Sequence, residues 1–271
     1  MNILLNYQYD LYPFTTASYF EMAIKSHKKH KLVKRDEAFN EKIDLVINIE
    51  PVPCMVRMSG VPSVYYEIDN HVIRGSDKHW YIDTDLIFLA QPYFKDFYKD
   101  WKTDNLPLAC CPDVHKRYED EPQEYDIGFI GNDTYPYRRM LLDILSANYK
   151  VLRTTAEPGE PYSRLLNRCK IIFNCAMDND VNMRFFEGMA CGRLLLSDYL
   201  PEQDNYAIDG VHYVAYRSVD ELLEKVNYYL KNNKEREKIA KQGMEHVHKN
   251  HNYNIRLEEL LCLAKNHLSL S

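Results

Sequence analysis

The chain lacks the sequence signals that mark several classes of protein. It has seven cysteines in 271 residues, yet no two of them have the C-x-x-C spacing of many zinc and redox sites. Their scatter predicts reduced thiols in a cytosol. No apolar run approaches the roughly 18–20 residues of a membrane span, and residues 1–5 predict a strand rather than a signal peptide. We therefore expect a soluble, cytoplasmic protein.

A positive charge balance is also missing. The net charge is −6, which gives no global attraction to nucleic acid. One run, Lys25–Arg35, is strongly basic, and cations suit the end of the helix predicted over Ala17–Ser26. Its alternative role is peripheral contact with anionic lipid at the inner membrane face or with an acidic acceptor. Aromatic residues are not interleaved with these charges, which disfavours nucleic acid.

Short apolar, β-rich runs alternate with helical patterns along the chain, which has neither a repeat nor a low-complexity tract. With 45% hydrophobic and 27% charged residues, the composition is that of a folded globular protein. Short strands that alternate with helices predict parallel sheets and an α/β class. The predicted strands are Ile3–Asn6, Asp44–Ile49, Ser63–Ile68, Leu86–Leu89, Asp126–Ile130, Tyr149–Leu152, Lys170–Asn174 and Leu194–Ser197.

A break in both periodicities falls between Asp104 and Glu124. Three prolines and the charged run Lys116–Glu121 interrupt the pattern there. The segment Asp126–Gly131 then starts a new strand that ends in glycine. We predict two α/β domains, residues 1–112 and 113–250, and a final helix within residues 251–271 that packs back across both.

The segment Asn182–Asp198 carries the clearest chemical signal. Its first part predicts a short helix that Gly192 stops, and a strand follows directly. Arg184 and Glu187 are three residues apart and share one helical face. The amide end of this helix, at Asn182, can bind a phosphate, and a carboxylate one turn later can accept hydrogen bonds from a ribose diol. Spacing alone also fits a surface Arg–Glu pair, and that alternative stays open at this point.

The same residues carry a family resemblance. The pattern Arg-x-Phe-Glu-x-Met-Ala-Cys-Gly, followed by a hydrophobic strand, resembles the donor-site segment of GT-B glycosyltransferases. It is closest to the glycosyl transferase group 1 C-terminal domains of CgeB-like proteins. The likeness covers most of residues 60–260. It includes residues 106–109, 126–131, 171–174, 214–218, 219–230, 235–240 and 251–253.

The resemblance implies a GT-B fold, with two Rossmann-like domains of parallel sheets and a cleft between them. It implies a hexosyltransferase-like enzyme (EC 2.4) that moves a sugar from a nucleoside-diphosphate sugar, with UDP-sugar favoured, to an acceptor hydroxyl. The expected acceptor is a cell-surface glycan or polysaccharide precursor, lipid-linked or small. The resemblance further implies catalysis without a metal or other cofactor, and retention of configuration at the anomeric carbon.

Some family roles transfer to single residues of this sequence. Glu187 matches the family glutamate that holds the ribose hydroxyls of the nucleotide. An earlier glutamate of related retaining enzymes falls on Asn179 here, which is a departure from the retaining pattern. A metal-free leaving diphosphate needs fixed cations and backbone donors, and the forked donors of arginine match phosphate oxygens. Arg184 is one candidate, and Arg138 is another because it follows the Gly131 turn near a predicted helix start.

Candidates for the acceptor side lie in the first half of the chain. Polar groups end the strand that leads into Asp69 and His71, where open α/β sheets tend to place ligands. Asp69 or His71 could polarise an acceptor hydroxyl as a carboxylate or imidazole base, and a turn held by Asp and Asn side chains is the alternative. Glu50, at another strand end, is a weaker candidate. His115, near the break, is interpreted as a surface histidine, and a position lining the cleft is the alternative.

Two other functions fit the sequence. A metal-dependent transferase could use Asp178 and Asp180, which follow a strand as metal-binding acids should, whereas Asp83 and Asp85 precede one. A non-catalytic protein that binds a sugar or nucleotide on the same fold is the third interpretation. The missing upstream glutamate keeps it open.

Overall fold

The computed structural model describes residues 1–7, 15–50, 54–69 and 83–268. The chain divides into two compact units. The first is Met1–Leu108 together with the C-terminal residues from Tyr253 onward, and the second is Ala109–Asn252. The change of unit between Leu108 and Ala109 lies inside the proline-rich segment 104–124. The C-terminal helix groups with the first unit.

The first unit contains a sheet of six parallel strands in the order β2-β1-β3-β4-β5-β6. The residues of β3, β4 and β5 are all buried, as parallel strands covered on both faces require. Helices α1 and α7 pack together, and the Tyr19 and Tyr253 rings lie 5.2 Å apart. The elements are β1 Asn2–Asn6, α1 Thr16–Ser26, β2 Lys31–Val33, β3 Leu45–Ile49, β4 Ser63–Glu67, β5 Leu86–Leu89, β6 Thr103–Asn105 and, from the C-terminal segment, α7 Tyr253–Leu268.

The second unit contains five parallel strands in the order β11-β10-β9-β7-β8. Apolar side chains of its strands and of α2, α5 and α6 form one buried cluster. The elements are β7 Tyr125–Ile130, α2 Pro136–Asn148, β8 Val151–Thr154, α3 Glu160–Asn167, β9 Cys169–Asn174, α4 Met183–Ala190, β10 Leu194–Asp198, β11 Val214–Tyr216, α5 Val219–Lys231 and α6 Asn233–Asn250.

Each sheet reverses its strand order once. In the second unit, β7 has β8 on one side and β9 on the other, and in the first unit β1 lies between β2 and β3. In open α/β sheets, ligands bind outside the carboxyl ends of the strands at such a reversal. The residues that follow β1, β3, β7 and β9 are therefore the places to look for chemistry.

The α/β class and the two parallel sheets predicted from sequence are confirmed, and all eight predicted strands are present. The strands β2, β6 and β11, which have three residues each, and the eight-residue helix α3 were not predicted. Within the described part of the chain, no helix combines the length and apolar character needed to cross a membrane.

Candidate functional site

Arg184, in the first turn of α4, joins the two strands at the reversal of the second sheet. Its Nη2 donates to the carbonyl oxygen of Ile130, at the end of β7, over 2.8 Å. Its Nη1 donates to Oδ1 of Asn174, at the end of β9, over 3.3 Å. The guanidinium lies 4.3 Å from the centre of the Phe129 ring. The side chain is therefore fixed at the edge where this fold binds ligands.

Gly131 leaves room for that guanidinium. A Cβ atom at this position would overlap Nη2 of Arg184, and the φ of +148° is one that L side chains rarely adopt. Glycine has no Cβ and accepts both conditions. The turn after β7 and the position of Arg184 thus depend on each other.

Arg138, on α2, places a second guanidinium beside the first. Its Nε and Nη2 donate to the carbonyl oxygen of Cys175 over 3.0 and 2.7 Å, and its Nη1 donates to that of Asn132 over 2.8 Å. Burial, followed by the charge of Arg184, lowers the pKa of Arg138. Neither arginine forms an ion pair with any residue that the structure describes. Two adjacent cations held by carbonyl oxygens form a ready site for an anion such as a diphosphate.

The strand ends behind these arginines form a connected polar network. Nδ2 of Asn174 donates to Oγ of Ser197 over 3.1 Å, and Gln203 donates to the same oxygen over 3.2 Å. Asp198, at the end of β10, accepts the N–H of Ala176. Burial raises the pKa of the Asp198 carboxyl to about 6. Such a network fixes the amide that orients Arg184.

Helix α4 begins as the sequence predicts, with Asn182 as its N-cap. The Asn182 side chain accepts the N–H of Phe185, so it occupies one of the free donors of the helix end. Asp178 and Asn179, just before it, are exposed and have positive φ values of 54° and 63°. Gly192, with φ +65°, follows the helix. Asn179 therefore lies on an exposed turn near the start of α4.

Glu187 lies one turn after Arg184 and is buried, with 6% of its surface exposed. It forms a side-chain hydrogen bond with Tyr162 of α3, and its Oε1 lies 3.4 Å from Nε2 of His115. Burial raises the pKa of Glu187 to about 7, although the bond to Tyr162 and the charge of Arg184 oppose this. Its contact with a ribose stays a prediction.

His115 is fully buried rather than on the surface, so that interpretation of the sequence was wrong. Its Nδ1 accepts the N–H of Cys111 over 3.0 Å. Burial, with His248 nearby, lowers the pKa of His115 to about 3, so the ring is neutral near pH 7. Because Nδ1 is an acceptor, the proton is on Nε2, which faces Glu187. Tyr162 and His115 are thus partners of Glu187 that the sequence does not reveal.

The acceptor-side candidates of the first unit are only partly described. His71 lies outside the described residues. Asp69 is exposed, and its backbone N–H donates to Oε2 of Glu50 over 2.8 Å. Glu67, the last residue of β4, was not singled out from the sequence although it is a buried carboxyl at a strand end. The catalytic role of Asp69 and His71 stays a prediction.

The acid pairs considered as metal ligands lie in different surroundings. Asp85 accepts two hydrogen bonds from Arg57, of 2.5 and 2.6 Å. Asp178 is exposed, whereas Asp180 is 8% exposed. Among the described residues, one group of three potential metal ligands is present. It lies in the first unit and consists of His27, His30 and Glu258.

The basic run Lys25–Arg35 covers the end of α1 and the short strand β2. Lys25 pairs with Glu21, and Lys31 pairs with Glu41 over 2.6 Å. These acids neutralise part of the positive charge locally. Contact with a membrane stays a prediction.

Solved structures with the same fold are glycosyltransferases and related enzymes. HepE from Anabaena, in complex with UDP and glucose, matches 98% of this chain and 100% of its own, with a TM-score of 0.68 and 10% identity. A glycosyltransferase from Rickettsia africae matches 98% of this chain and 84% of its own, with a TM-score of 0.58 and 13% identity. Sucrose-phosphate synthase from Thermosynechococcus elongatus matches 89% of this chain and 82% of its own, with a TM-score of 0.57 and 10% identity. At these identities the likeness establishes the GT-B fold.

The sequence itself also matches a family. None of the curated proteins compared with it is similar, but a family model described as glycosyl transferase-like matches residues 116–262, more than half of the chain. The resemblance to GT-B glycosyltransferases is confirmed, whereas the finer CgeB-like placement stays a prediction. The chain belongs to the glycosyl transferase-like family.

Proposed function

We propose that the protein transfers a sugar from a nucleoside-diphosphate sugar to an acceptor hydroxyl, and that Arg184 and Arg138 bind the diphosphate. The observation that carries this proposal is the pair of guanidinium groups at the strand reversal of the second sheet. Both are tied to backbone carbonyl or amide oxygens, and neither forms an ion pair with a described carboxylate. A bound diphosphate supplies the missing negative charge.

The same arrangement supports a reaction that needs no metal. When the bond between sugar and diphosphate breaks, negative charge develops on the phosphate oxygens, and fixed cations stabilise it. Two pre-oriented arginines provide that charge without a divalent ion. Activity that persists in a chelator supports this assignment, and activity that requires Mn²⁺ favours the alternative site at Asp178 and Asp180.

The nucleotide and the acceptor are inferred from similar proteins. HepE was solved with UDP-glucose, and TarM from S. aureus was solved with UDP and α-GlcNAc-glycerol. We therefore favour a UDP-sugar donor and a glycan, lipid-linked or small hydroxyl acceptor for this protein. Glu187 is proposed to hold the ribose. Retention at the anomeric carbon stays the prediction of the resemblance, and the configuration of the product, read by NMR, tests it.

Calorimetric titration with UDP and GDP tests the donor site. We expect a nucleoside diphosphate to bind the wild type, and Arg184→Ala to weaken it by about tenfold or more, which corresponds to ~1.4 kcal/mol. Arg168→Gln is the matched control, because Arg168 precedes the other end of β9 and pairs with Glu124 at the surface. It should leave the affinity unchanged.

The control also guards against a general loss of structure. Both variants are first compared with the wild type by thermal unfolding. A folded Arg184→Ala variant that binds UDP and GDP as tightly as the wild type would contradict the proposal. Absence of nucleoside-diphosphate binding by the wild type would contradict it as well.

A further inference from the structure

Two glutamates meet at the carboxyl edge of the first sheet. Glu67 is the last residue of β4, and Glu50 directly follows β3. The two strands are parallel neighbours, with Ile49 opposite Tyr66. Both carboxyl groups therefore leave the sheet at the same edge, Glu50 one strand and Glu67 two strands from its reversal at β1. This is the edge at which open α/β sheets bind ligands.

Glu67 is buried and Glu50 is partly buried, and backbone groups hold the Glu50 carboxyl. Oε2 of Glu50 accepts the backbone N–H groups of Ile68 and Asp69, each over 2.8 Å. The two carboxyl groups also interact with each other, and Glu67 interacts with Tyr65. Glu67 is 1% exposed. No described lysine, arginine or histidine forms an ion pair with either glutamate.

These contacts determine which carboxyl keeps a proton. Two adjacent carboxylates repel each other, and a proton held by one of them relieves the repulsion. Glu50 accepts two backbone N–H groups, which favours its ionised form, and Glu67 then holds the shared proton. Burial raises the pKa of Glu67 well above its ordinary value, and Glu50 and then Asp69 add repulsion. Burial also raises the pKa of Glu50, against the N–H groups that lower it.

One oxygen of the pair has no partner. Oε1 of Glu67 is buried and accepts no hydrogen bond from the residues that the structure describes. An unsatisfied buried polar atom costs about 1–3 kcal/mol, and native proteins contain few of them. A ligand hydroxyl donating to this oxygen would remove that cost. The two acids have no described cation partner, and one buried oxygen is unused. This arrangement is more typical of a binding or catalytic site than of a hydrophobic core.

We propose that Glu50 and Glu67 form the acceptor subsite, in which Glu67 binds an acceptor hydroxyl and the Glu50 carboxylate takes the proton of the attacking hydroxyl. The inference rests on the proposed function and adds the acceptor chemistry to it. It shifts the role of base from Asp69 to the Glu50 carboxylate, which accepts the backbone N–H of Asp69. The ligand class is a polyhydroxy compound, because both groups bind hydroxyls.

The step balances without a further reactant. The oxygen of the attacking hydroxyl forms a bond to the anomeric carbon, and its proton passes to Glu50. The bond between the anomeric carbon and the diphosphate oxygen breaks, and its electron pair stays on the diphosphate. Glu50 then returns the proton to water. The pair does not determine which face of the sugar is attacked.

A first experiment reads the proton itself and needs no substrate. In the full chain labelled with ¹³C at the glutamate carboxyl groups, we expect one carboxyl besides that of Glu187 to remain protonated near pH 7, and Glu67→Gln to remove its signal. Glu187→Gln identifies the signal of Glu187, and Asp96→Asn, which changes an exposed carboxyl of the first unit, should not affect the signal of Glu67. If every glutamate other than Glu187 titrates in the ordinary range of about 4–5, the shared proton does not exist and the proposal is overturned.

A second experiment separates a catalytic pair from a structural one. The readout is release of UDP from UDP-glucose, with water or an added polyol as acceptor. We expect Glu50→Gln to lower kcat by a factor on the order of 10²–10⁴, the usual contribution of a general base, without changing the affinity for UDP. Glu67→Gln keeps a neutral donor to Glu50 and should retain kcat within about tenfold.

The pH profile is the measurement that a merely structural role would not change. As pH rises, kcat of the wild type should increase when the pair loses its first proton, and Glu67→Gln should keep this increase. Glu50→Gln should abolish it. Asp69 and Tyr65 face the same pair, so Asp69→Asn is measured beside it. A profile that disappears in Asp69→Asn but persists in Glu50→Gln would assign the base to Asp69 and refute the inference.

The outcomes also separate this inference from the proposed function. If the wild type binds no nucleoside diphosphate, the donor site fails, and the ¹³C experiment still decides whether the pair shares a proton. If UDP binds and is released from UDP-glucose but a folded Glu50→Gln variant matches the wild type in kcat and pH profile, the inference alone fails. Thermal unfolding of each variant shows whether the loss is one of folding.

Discussion

The two sheets have the same parallel order around their first strands but carry opposite chemistry at their carboxyl edges. The edge of the second sheet carries two guanidinium groups from the helices that follow β7 and β9, whereas the edge of the first carries two carboxyl groups from the ends of β3 and β4. The fold alone therefore does not define the ligands. From the side chains at the strand ends we propose anion binding for one unit and proton transfer for the other.

The two edges also differ in how their buried charges are satisfied. Arg138 and Arg184 donate to carbonyl and amide oxygens, and we propose that an anion completes their site. Oε1 of Glu67 has no described partner, and we propose that Glu50 and Glu67 share a proton and that a hydroxyl donor completes their site. The comparison predicts that each edge can be damaged without affecting the other.

The largest effect is expected where the backbone itself makes room for the cation. Gly131→Ala places a Cβ where the Arg184 guanidinium lies, so we expect the arginine to be displaced and UDP affinity to fall by about tenfold to hundredfold, or ~1.4–2.8 kcal/mol. The measurement is calorimetric titration. Gly210→Ala is the matched control, since Gly210 also has a positive φ but has open space around its missing Cβ.

The control variant separates crowding from backbone strain. Gly210→Ala should lose on the order of 1 kcal/mol of stability from its φ alone and keep the affinity of the wild type for UDP. Equal affinities of the two alanine variants would show that Gly131 does not position Arg184.

A smaller effect is expected from removing one of the two cations. Arg138→Gln keeps a donor for the carbonyl oxygen of Cys175 but removes the charge next to Arg184. If the two arginines share a diphosphate, this variant should lose about tenfold in affinity for UDP and much less for UMP, because the second phosphate loses its cation. Parallel titrations with the two nucleotides measure this. An equal loss for both nucleotides would place Arg138 away from the second phosphate.

The smallest effect concerns the buried acid of the second unit. The folded-state pKa of Glu187 is about 7, above the ordinary 4.5, so between these values the folded state binds more protons than the unfolded state. The contribution of Glu187 to stability is therefore present at low pH and is lost as pH rises through 7. Glu187→Gln removes this dependence, and its Tm relative to wild type should rise between about pH 5 and about pH 8.

The expected change is a few degrees, because ~1 kcal/mol shifts Tm by about 2–4 °C in a chain of this size. The exposed Glu224→Gln is the control in the same unit, and its Tm should follow that of the wild type at both pH values. A Glu187→Gln variant whose Tm difference from wild type does not change with pH would contradict the raised pKa.

The periodic parts of the fold could be predicted from sequence, and the partners of buried polar groups could not. The helix after Asn182 and its end at Gly192 follow from local capping, which depends on neighbouring residues. The sequence also placed Arg184 and Glu187 on one helical face. It could not show that Arg184 contacts the ends of β7 and β9, because those contacts lie 54 and 10 residues away.

The missed residues share one physical cause. His115 is buried in contact with Cys111 and Glu187. Tyr162, the partner of Glu187, lies on α3, a helix too short to give a clear periodic pattern. Glu67 lies in a strand whose other residues are apolar or uncharged, and its importance depends on the neighbour Glu50 from another strand. The signal that could have found it is a charged residue at the end of a buried strand.

The central claim is that the carboxyl edge of the second sheet binds the diphosphate of the donor. A crystal structure of the protein with UDP would decide this. We expect the diphosphate at the ends of β7 and β9, within hydrogen-bond distance of the Arg184 and Arg138 guanidinium groups. UDP bound elsewhere, with these two guanidinium groups still turned only to the backbone and to Asn174, would contradict it.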